Sequence, residues 1–355
     1  MAEIVSFKCP NCDGELKFDP KSQGYTCEWC GSFFDQSFFD QMEGAAAAAG
    51  GDAPPAASAQ ASAEEEAGRI FTCPSCGAEV VTDATTAATF CYYCHNPVVL
   101  SGRLSGNLLP DFIIPFKIPK EEASDNLIKS TNKKWFVPKN FFDSKQIENL
   151  TGVYFPYWKG EGHYVGLATA EGNRVRSWTT GDYQYTETKT FRVERGGTID
   201  LKNWLAIALS KTNQVLAEGV QPYDFKELKP FSYGYLTGFQ AEKRDIEKKA
   251  MEERAGKEFR ACADSTLRSK MSGYTTITKF NSNYTKEDID MKYTLLPVWT
   301  MTYQGKGDKV YFYSMNGQTG SVIGDFPISM PKLLLFASIL SGIVLALFLL
   351  GGWLL

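Results

Sequence analysis

Eight of the nine cysteines in this 355-residue chain fall into four Cys-x-x-Cys pairs. The pairs form two sets, and in each set fourteen residues separate the first pair from the second. The sets are Cys9, Cys12, Cys27 and Cys30, and Cys73, Cys76, Cys91 and Cys94. Zn²⁺ takes four ligands in a tetrahedron and binds thiolates well, so two adjacent cysteine knuckles supply a complete ligand set. The spacing therefore predicts two structural zinc sites, one in each of two small zinc ribbons.

Paired cysteines also serve as redox centres, disulfides or iron ligands. A thioredoxin-like redox pair needs a βαβ setting, which the flanking sequence does not indicate. Disulfides need an oxidising compartment, and the N-terminus lacks the basic and apolar segments of a signal peptide. We expect reduced cysteines in the cytosol, with zinc favoured and iron as the alternative metal. The ninth cysteine, Cys262, is expected to be a small core residue.

Neither the two histidines nor a search for known catalytic motifs gives a sign of an enzyme. His95 follows a cysteine set that is already complete, and His163 has no recognisable catalytic partners. The sequence contains no phosphate-binding loop, nucleophile elbow, metalloprotease motif or dinucleotide fingerprint. We predict a non-enzymatic protein. A hydrolase or transferase pocket in the middle of the chain remains an alternative that the sequence leaves open.

Three aromatic residues, Trp29, Tyr92 and Tyr93, lie between knuckle cysteines and are candidates for partner contact. Such rings stack on nucleic-acid bases or pack against a protein. Residues 1–36 carry three lysines against six acidic residues, and charges balance in residues 69–103. Nucleic-acid affinity depends mainly on cations that meet phosphates. A protein partner is therefore favoured, and nucleic acid is the alternative.

The elements around the ribbons divide the chain into segments. We predict the first ribbon over residues 1–36, an Ala/Gly/Pro/Ser-rich flexible linker over 37–68, and the second ribbon over 69–103. The two ribbons form an internal repeat of about 60 residues.

The C-terminus is apolar enough to span a bilayer. The uncharged run from Leu333 to Leu355 would reach about 34 Å as a helix, against a hydrocarbon core of roughly 30 Å. Lys332 precedes this run, and Trp353 near its far end suits a membrane interface. We predict a single transmembrane helix over residues 331–355, with the rest of the protein on the cytoplasmic side of the cell membrane. A buried core helix is the alternative.

Residues 108–328 are rich in aromatic and β-branched residues with frequent turn signals. They predict an α+β, mainly antiparallel β domain, with a tight reversal at Asn316-Gly317. One helix is expected from Lys120 to about Ser130. A long one is expected near residues 239–271, from Phe239 to Met271. Its buried side is predicted to contain Ile246, Ala250, Phe259 and Cys262.

Three segments place proline after an apolar run: "DFIIPFK", "GVYFPYW" and "YTLLPVW". Proline lacks a backbone donor, so each is predicted to lie at a sheet edge or to begin a strand. They indicate two related β units with the long helix inserted, unless their likeness is coincidental in an aromatic-rich chain.

Together with the paired "CPNC…CEWC" and "CPSC…CYYC" ribbons, the segments "IIPFKIPKEEA", "KKWFVPKNF", "LTGVYFPYW", "LLPVWTMTY" and "NGQTGSVIGDFP" resemble a bacterial protein family. Its members are membrane-anchored zinc-ribbon proteins, often described as transcription-factor-IIB-type zinc-ribbon proteins. The resemblance implies a cytosolic zinc-ribbon platform on the membrane, linked in some members to phage-shock-type or other membrane-stress proteins. It implies no catalytic residues.

These observations predict a multi-domain protein with two small four-cysteine zinc ribbons, an α+β domain and one C-terminal transmembrane helix. The expected function is a membrane-anchored adaptor that presents its ribbons to protein partners. A membrane-tethered regulator that binds nucleic acid is the alternative.

Overall fold

This computed structural model describes residues 4–5, 7–41, 69–72, 79–83, 85–91, 97–100, 103–104, 106–138, 150–212, 214–304 and 310–354. Several sequence predictions concern residues outside these ranges. They are the linker beyond residue 41, the ligands Cys73, Cys76 and Cys94, the aromatic residues Tyr92 and Tyr93, and His95.

The chain forms two compact units, each built from separate stretches of sequence. Unit 1 comprises Met1–Pro156, Leu209–Arg244 and Leu295–Leu355. Unit 2 comprises Tyr157–Ala208 and Asp245–Thr294. The β-rich stretch 108–328 thus contributes to both units.

Unit 1 contains a mixed sheet and a smaller three-stranded sheet. The strand order in the mixed sheet is Ile4–Val5, Pro97–Leu100, Thr86–Phe90, Gln240–Glu242, Thr151–Thr180, Thr276–Gln304, Val310–Asn316 and Val322–Gly324. The two long strands, Thr151–Thr180 and Thr276–Gln304, belong partly to unit 1 and partly to unit 2. Phe112–Ile113 pairs with Lys229–Pro230, and Arg69–Thr72 pairs separately with Glu79–Thr82. The three-stranded sheet consists of Leu16–Asp19, Gly24–Cys27 and Phe33–Phe34.

In the described part of unit 1, helices cover 36–41, Lys120–Asn132, Gln214–Gly219 and Met330–Leu354. Short 3₁₀ turns lie at Gly106–Leu108, Phe225–Glu227 and Tyr233–Leu236. The helix predicted from Lys120 to about Ser130 is confirmed. It packs through Ala123, Leu127 and Thr131, which recur at four-residue intervals on one face.

Aromatic residues from the proline-containing segments meet in the core of unit 1. The ring of Phe116 stacks on Phe239 with centroids 4.2 Å apart, and Tyr154 and Trp299 meet it edge-on. The indole Nε1 of Trp299 donates a hydrogen bond to the carbonyl of Ile118 at 2.9 Å. Gly152 leaves room for this cluster, because a Cβ there would lie 2.6 Å from Phe239 Cδ1.

The predicted strand positions of two prolines are wrong. Pro156 and Pro297 lie inside the strands Thr151–Thr180 and Thr276–Gln304 and neither begins a strand nor lies at a sheet edge. The register explains why Pro156 is tolerated. Its strand pairs in parallel with Gln240–Glu242 up to Tyr154 and with Tyr183–Ile207 from Tyr157 onward, so the proline falls where the partner changes.

The predicted reversal at Asn316-Gly317 joins two antiparallel strands, but it is longer than a two-residue turn. Val310–Asn316 pairs with Val322–Gly324, and residues 317–321 connect them. The buried Asn316 amide organises this loop, since Nδ2 donates to the carbonyls of Val220 and Pro222 at 3.0 and 3.1 Å. Its Oδ1 accepts from the N–H groups of Gln318 and Thr319.

Unit 2 contains long antiparallel strands and one long helix. Residues 157–180 pair with Tyr183–Ile207, with a register shift between Gly160 and Gly162. The helix is Lys248–Ser269, shorter than the predicted 239–271, because Gln240–Glu242 forms a strand and the N–H groups of Asp245 and Ile246 bond to the carbonyl of Ala208.

The predicted buried face of this helix is confirmed for Phe259 and wrong for Ala250 and Cys262. The buried residues are Met251, Ala255, Phe259, Ala263 and Leu267, whose spacing of four defines a different stripe. Phe259 lies where Gly162 has no side chain, since a Cβ there would be 2.8 Å from the ring. Ala250 and Cys262 are exposed, so Cys262 is not a core residue.

Candidate metal centre

Two tight turns bring four cysteines of unit 1 together. In the first turn, the N–H groups of Cys12 and Asp13 point to the carbonyl of Cys9 at 3.4 and 2.9 Å. In the second, the N–H of Gly31 donates to the carbonyl of Cys27 at 2.9 Å. Asp13 and Gly31 both have positive φ, which lets the backbone curl around the sulfur atoms. The hairpin Leu16–Asp19/Gly24–Cys27 joins the two turns, and Leu16 pairs directly with Cys27.

The four sulfur atoms form a compact cluster that could hold one metal ion. The Sγ atoms of Cys9, Cys12, Cys27 and Cys30 all lie within 4.8 Å of one another. Cys9 Sγ lies 3.6 Å from Cys30 Sγ, and Cys12 Sγ lies 3.5 Å from Cys27 Sγ. A tetrahedral ion with zinc–sulfur bonds of about 2.3 Å requires sulfur–sulfur separations of about 3.8 Å. These separations fit that requirement, and the six cysteines that the structure describes are all free.

Burial divides the cluster into two halves. Cys9 and Cys27 are buried, whereas Cys12 and Cys30 are exposed. The Ser32 side-chain hydroxyl and backbone N–H, followed by the Cys12 thiol, lower the pKa of Cys30 to about 6. A backbone hydrogen bond from Gly14 lowers the pKa of Cys12, but the sulfurs of Cys30 and Cys27 outweigh it and raise the value to about 12. Sulfurs this close cannot all ionise without a cation between them.

The strands after the first ribbon connect the second cysteine set to the main sheet. Cys91 is buried at the end of Thr86–Phe90, and it is the one member of its set in the described part of the chain. That strand pairs with Gln240–Glu242 through Ala88 and Ala241, and with Pro97–Leu100. A second metal site therefore stays a prediction.

The first ribbon is built into unit 1 by contacts with residues far along the chain. The N–H of Phe18 bonds to both oxygens of Thr237 at 3.1 Å, and the Phe18 ring meets Tyr235 edge-on. Gln23 Nε2 donates to the carbonyl of Phe116 at 2.8 Å.

A helical turn at 36–41, which extends into the predicted linker, packs against the ribbon. Phe39 is fully buried and stacks on Tyr25 with centroids 3.5 Å apart. Residues 37–41 of the predicted linker are therefore part of the folded ribbon, and the rest of the linker stays a prediction.

Of the three predicted partner residues, Trp29 is the one that the structure describes. It lies in the second cysteine turn and is 83% exposed. Its ring passes over Gly14, where a Cβ would meet Trp29 Cδ1 at 2.8 Å. Beside it, Lys17 and Glu28 form an ion pair at 2.7 Å. The surface around the cluster thus presents a large exposed ring and no excess of cations.

The remaining candidate residues do not assemble a second site. His163 Nδ1 lies 2.6 Å from Asp200 Oδ1, and both side chains are exposed on the hairpin of unit 2. Among the described residues, the cluster of Cys9 to Cys30 is the one group of three or more cysteine, histidine or acidic residues close enough to share a metal.

A cleft of 630 Å³ lies beside the ribbon in unit 1. Its lining contains both charged and aromatic residues, among them Lys17, Glu28, Phe239 and Trp299. Lys17 and Glu28 neutralise each other, and the described lining includes no histidine or cysteine.

The C-terminal helix Met330–Leu354 is apolar and long enough to cross a membrane. None of its window Met330–Phe348 is buried against the rest of the protein. The buried-core reading of this segment is therefore wrong for these residues.

The chain is similar along nearly its whole length to a known bacterial protein. It is 32% identical over 345 residues to the uncharacterized protein YdjG of Bacillus subtilis (strain 168), a match that covers 97% of this chain and 96% of that protein. The chain belongs to the YdjG family. Coverage this broad means that the YdjG relationship is not confined to the cysteine-rich segment. No family model matches the chain, and no solved structure matches it. The likeness to transcription-factor-IIB-type ribbons stays a prediction.

Proposed function

We propose that the protein is a non-enzymatic, single-pass membrane adaptor in which a structural zinc ion forms a rigid docking surface for a protein partner. The observation that carries this proposal is the presence of two features in unit 1. One is the cluster of four sulfur atoms within 4.8 Å, and the other is the uncovered apolar helix at the C-terminus.

Zinc is the metal that we assign to the cluster. Four thiolates close a tetrahedral site and leave no open position for a substrate, which is the pattern of structural zinc. In this role Cys9, Cys12, Cys27 and Cys30 would hold the ion, and its charge would allow all four sulfurs to ionise. We propose a second structural zinc in the set of Cys73, Cys76, Cys91 and Cys94.

A membrane location is supported by the exposed apolar surface of the C-terminal helix. Leu334, Leu347 and Phe348 are among the large side chains that no other part of the described protein covers. Each such side chain gains about 1.5–3 kcal/mol on leaving water. A window of 19 residues spans about 28 Å, close to the hydrocarbon thickness of a bilayer. We assign the protein to the cell membrane with the ribbons on the cytoplasmic side.

A protein partner fits the surface of the first ribbon better than nucleic acid does. Large exposed aromatic rings are frequent energetic centres of protein interfaces, and Trp29 is such a ring. The metal turns fix its position, and the contacts of Phe18 and Gln23 connect the ribbon to the rest of unit 1. By the family resemblance, phage-shock-type or other membrane-stress proteins are the first partners to test.

The test is an affinity purification of the full chain from membranes in mild detergent, with nuclease treatment. Wild type is compared with Trp29→Ala and with Tyr183→Ala, which removes an exposed ring from the hairpin of unit 2. Zinc content is measured on all three. We expect the same zinc content throughout, and a partner that is retained by wild type and Tyr183→Ala but lost from Trp29→Ala.

Two results would overturn the proposal. If the same proteins are recovered with Trp29→Ala as with wild type, the ribbon surface is not the docking site. If nucleic acid is recovered before nuclease treatment and nothing is recovered after it, the protein is a membrane-tethered nucleic-acid-binding regulator.

A further inference from the structure

We propose that residues 129–135 form a binding site for the headgroups of anionic phospholipids at the base of the C-terminal helix. We call this segment the lysine–tryptophan corner; it contains Lys129, Lys133, Lys134 and Trp135. The inference rests on the proposed membrane anchor and adds to it a recognition of lipid charge.

The corner is attached to the first turn of the C-terminal helix. Lys332 Nζ donates to the carbonyl of Val137 at 2.5 Å, and the N–H of Ser329 donates to the carbonyl of Phe136 at 2.7 Å. The rings of Phe136 and Phe336 meet edge-on with centroids 5.5 Å apart. These contacts join Phe136 and Val137, which directly follow the corner, to the first two turns of the helix.

Attachment at this point fixes the depth of the corner. The apolar run of the helix begins at Leu333, one residue after the lysine that bonds to Val137. If the helix spans a bilayer, the interface between headgroups and acyl chains lies at its start. Residues 133–135 are therefore held at the level of the headgroups.

The exposed chemistry of the corner matches that interface. Trp135 is 76% exposed, and its indole combines an apolar ring with an N–H donor, which suits the interface. Lys129, Lys133 and Lys134 are also exposed, in a chain whose net charge is −4. Two described carboxylates lie beside this segment: exposed Asp125 is one helical turn before Lys129, and Asp325 precedes Phe326, whose ring centroid lies 3.7 Å from Lys134 Nζ.

Helix capping accounts for only part of this arrangement. The helix Lys120–Asn132 ends here, and cations in a last turn stabilise the negative end of a helix dipole. That effect explains Lys129 and Lys133. It gives no reason for the exposed Trp135 or for the attachment of this segment to the start of an apolar helix. Contact with an anionic lipid surface explains all of these features.

The test measures which lipid lies beside Trp135. The full chain is reconstituted in mixed vesicles of phosphatidylcholine and phosphatidylglycerol, with bromine in the upper acyl chains of one lipid or the other. Bromine quenches nearby tryptophan, and subtraction of the Trp135→Phe signal isolates Trp135 from the six other tryptophans. We expect stronger quenching by brominated phosphatidylglycerol at equal mole fraction.

Charge removal should abolish this preference. Each lysine near an anionic surface contributes about fivefold in lipid preference, the equivalent of about 1 kcal/mol. Lys133→Gln/Lys134→Gln should thus lower the enrichment of phosphatidylglycerol beside Trp135 by about 30-fold at most, so that both lipids quench almost equally. Added salt should lower this enrichment in the same way, because it screens the lysine charges. The matched control is Lys249→Gln/Lys257→Gln, which removes two exposed lysines from the helix of unit 2 and should leave the enrichment unchanged.

The outcomes separate this inference from the membrane anchor itself. Equal quenching of Trp135 by both lipids, or an enrichment that survives Lys133→Gln/Lys134→Gln, would overturn the lipid site. The Trp353 signal, isolated in the same way with Trp353→Phe, reports the membrane helix. Quenching of Trp353 without Trp135 leaves the anchor standing and refutes the corner, whereas quenching of neither refutes the membrane location.

Discussion

The cluster of four cysteines predicts a specific sensitivity at Gly14, which lies between the two cysteine turns. A Cβ at this position would lie 3.1 Å from Cys27 Sγ and 2.8 Å from Trp29 Cδ1. Trp29 is mostly exposed, so its ring can move away at little cost. Cys27 is fully buried on a hairpin strand paired with Leu16, and it cannot move without its strand. In Gly14→Ala the new methyl group therefore strains its contact with Cys27 Sγ, because the sulfur cannot move away as the Trp29 ring can.

The size of the effect follows from this contact. Ordinary nonbonded contacts begin at about 3.5 Å, so the new methyl and the sulfur, built 3.1 Å apart, must separate by about 0.4 Å. Metal–ligand distances tolerate only about 0.2 Å of change. We expect a loss of about 10–100-fold in zinc affinity, the range seen when the supports of a metal ligand are altered.

The assay is competition for zinc between the detergent-solubilised full chain and a chromophoric chelator. Gly197→Ala is the control, since a Cβ there meets nothing within 4 Å. The double variant Gly14→Ala/Trp29→Ala removes the contact with the ring but retains the contact with sulfur, so it should bind zinc as weakly as Gly14→Ala. Wild-type affinity in Gly14→Ala would refute the reasoning about the sulfur contact, and recovery in the double variant would show that Trp29 was the limiting contact.

Three further predictions concern the packing and electrostatics of unit 1. Phe39→Ala should lower the free energy of unfolding by about 3–5 kcal/mol, because it removes a buried ring that stacks on Tyr25. The control Phe33→Ala removes an exposed ring and should lower it by about 0.5 kcal/mol or less. Urea unfolding of both variants measures the difference. Asn316→Ala should cost about 3 kcal/mol in the same assay, since it leaves the carbonyls of Val220 and Pro222 without their amide donor, and a cost below about 0.5 kcal/mol would contradict the role of this amide. A hydrogen bond from Lys117 and then one from Gln318 lower the pKa of Glu227 below 4.5, so its stabilising contribution is present above pH 4.5 and is lost as the pH falls through the lowered value. Unfolding curves of wild type and Glu227→Gln should therefore differ above pH 4.5 and converge in acid, and a difference that stays constant with pH would argue against this linkage.

The grouping of Cys9, Cys12, Cys27 and Cys30 could be predicted from sequence because each knuckle is local. Cys9 and Cys12 share one turn, and the hairpin between the knuckles needs only the residues up to Cys27. The attachment of the ribbon could not be predicted in this way. Phe18 bonds to Thr237 across 219 positions, and no periodic pattern in either segment encodes that pairing.

The errors in the long helix have a tertiary cause. Residues 239–247 contain no helix breaker, and the apolar spacing of Ile246, Ala250 and Phe259 suits a helix. Pairing of Gln240–Glu242 with two other strands overrides that local preference, so the helix begins only at Lys248. The buried stripe then follows Met251 and excludes Cys262. The position of Pro156 inside a long strand could not be predicted from sequence either. It depends on where the strand changes its pairing partner, and that is set by the register of distant segments.

The most direct test of the account is X-ray absorption at the zinc edge, with metal analysis, on the full chain purified from membranes. The measurement compares wild type with Cys12→Ser/Cys30→Ser, which removes the two exposed ligands of the first cluster. We predict zinc surrounded by sulfur at about 2.3 Å in wild type, and the loss of one zinc per chain in the variant. Zinc absent from the membrane-derived protein, a nitrogen and oxygen shell, or the same zinc content in the variant would contradict a metal-built ribbon on a membrane anchor.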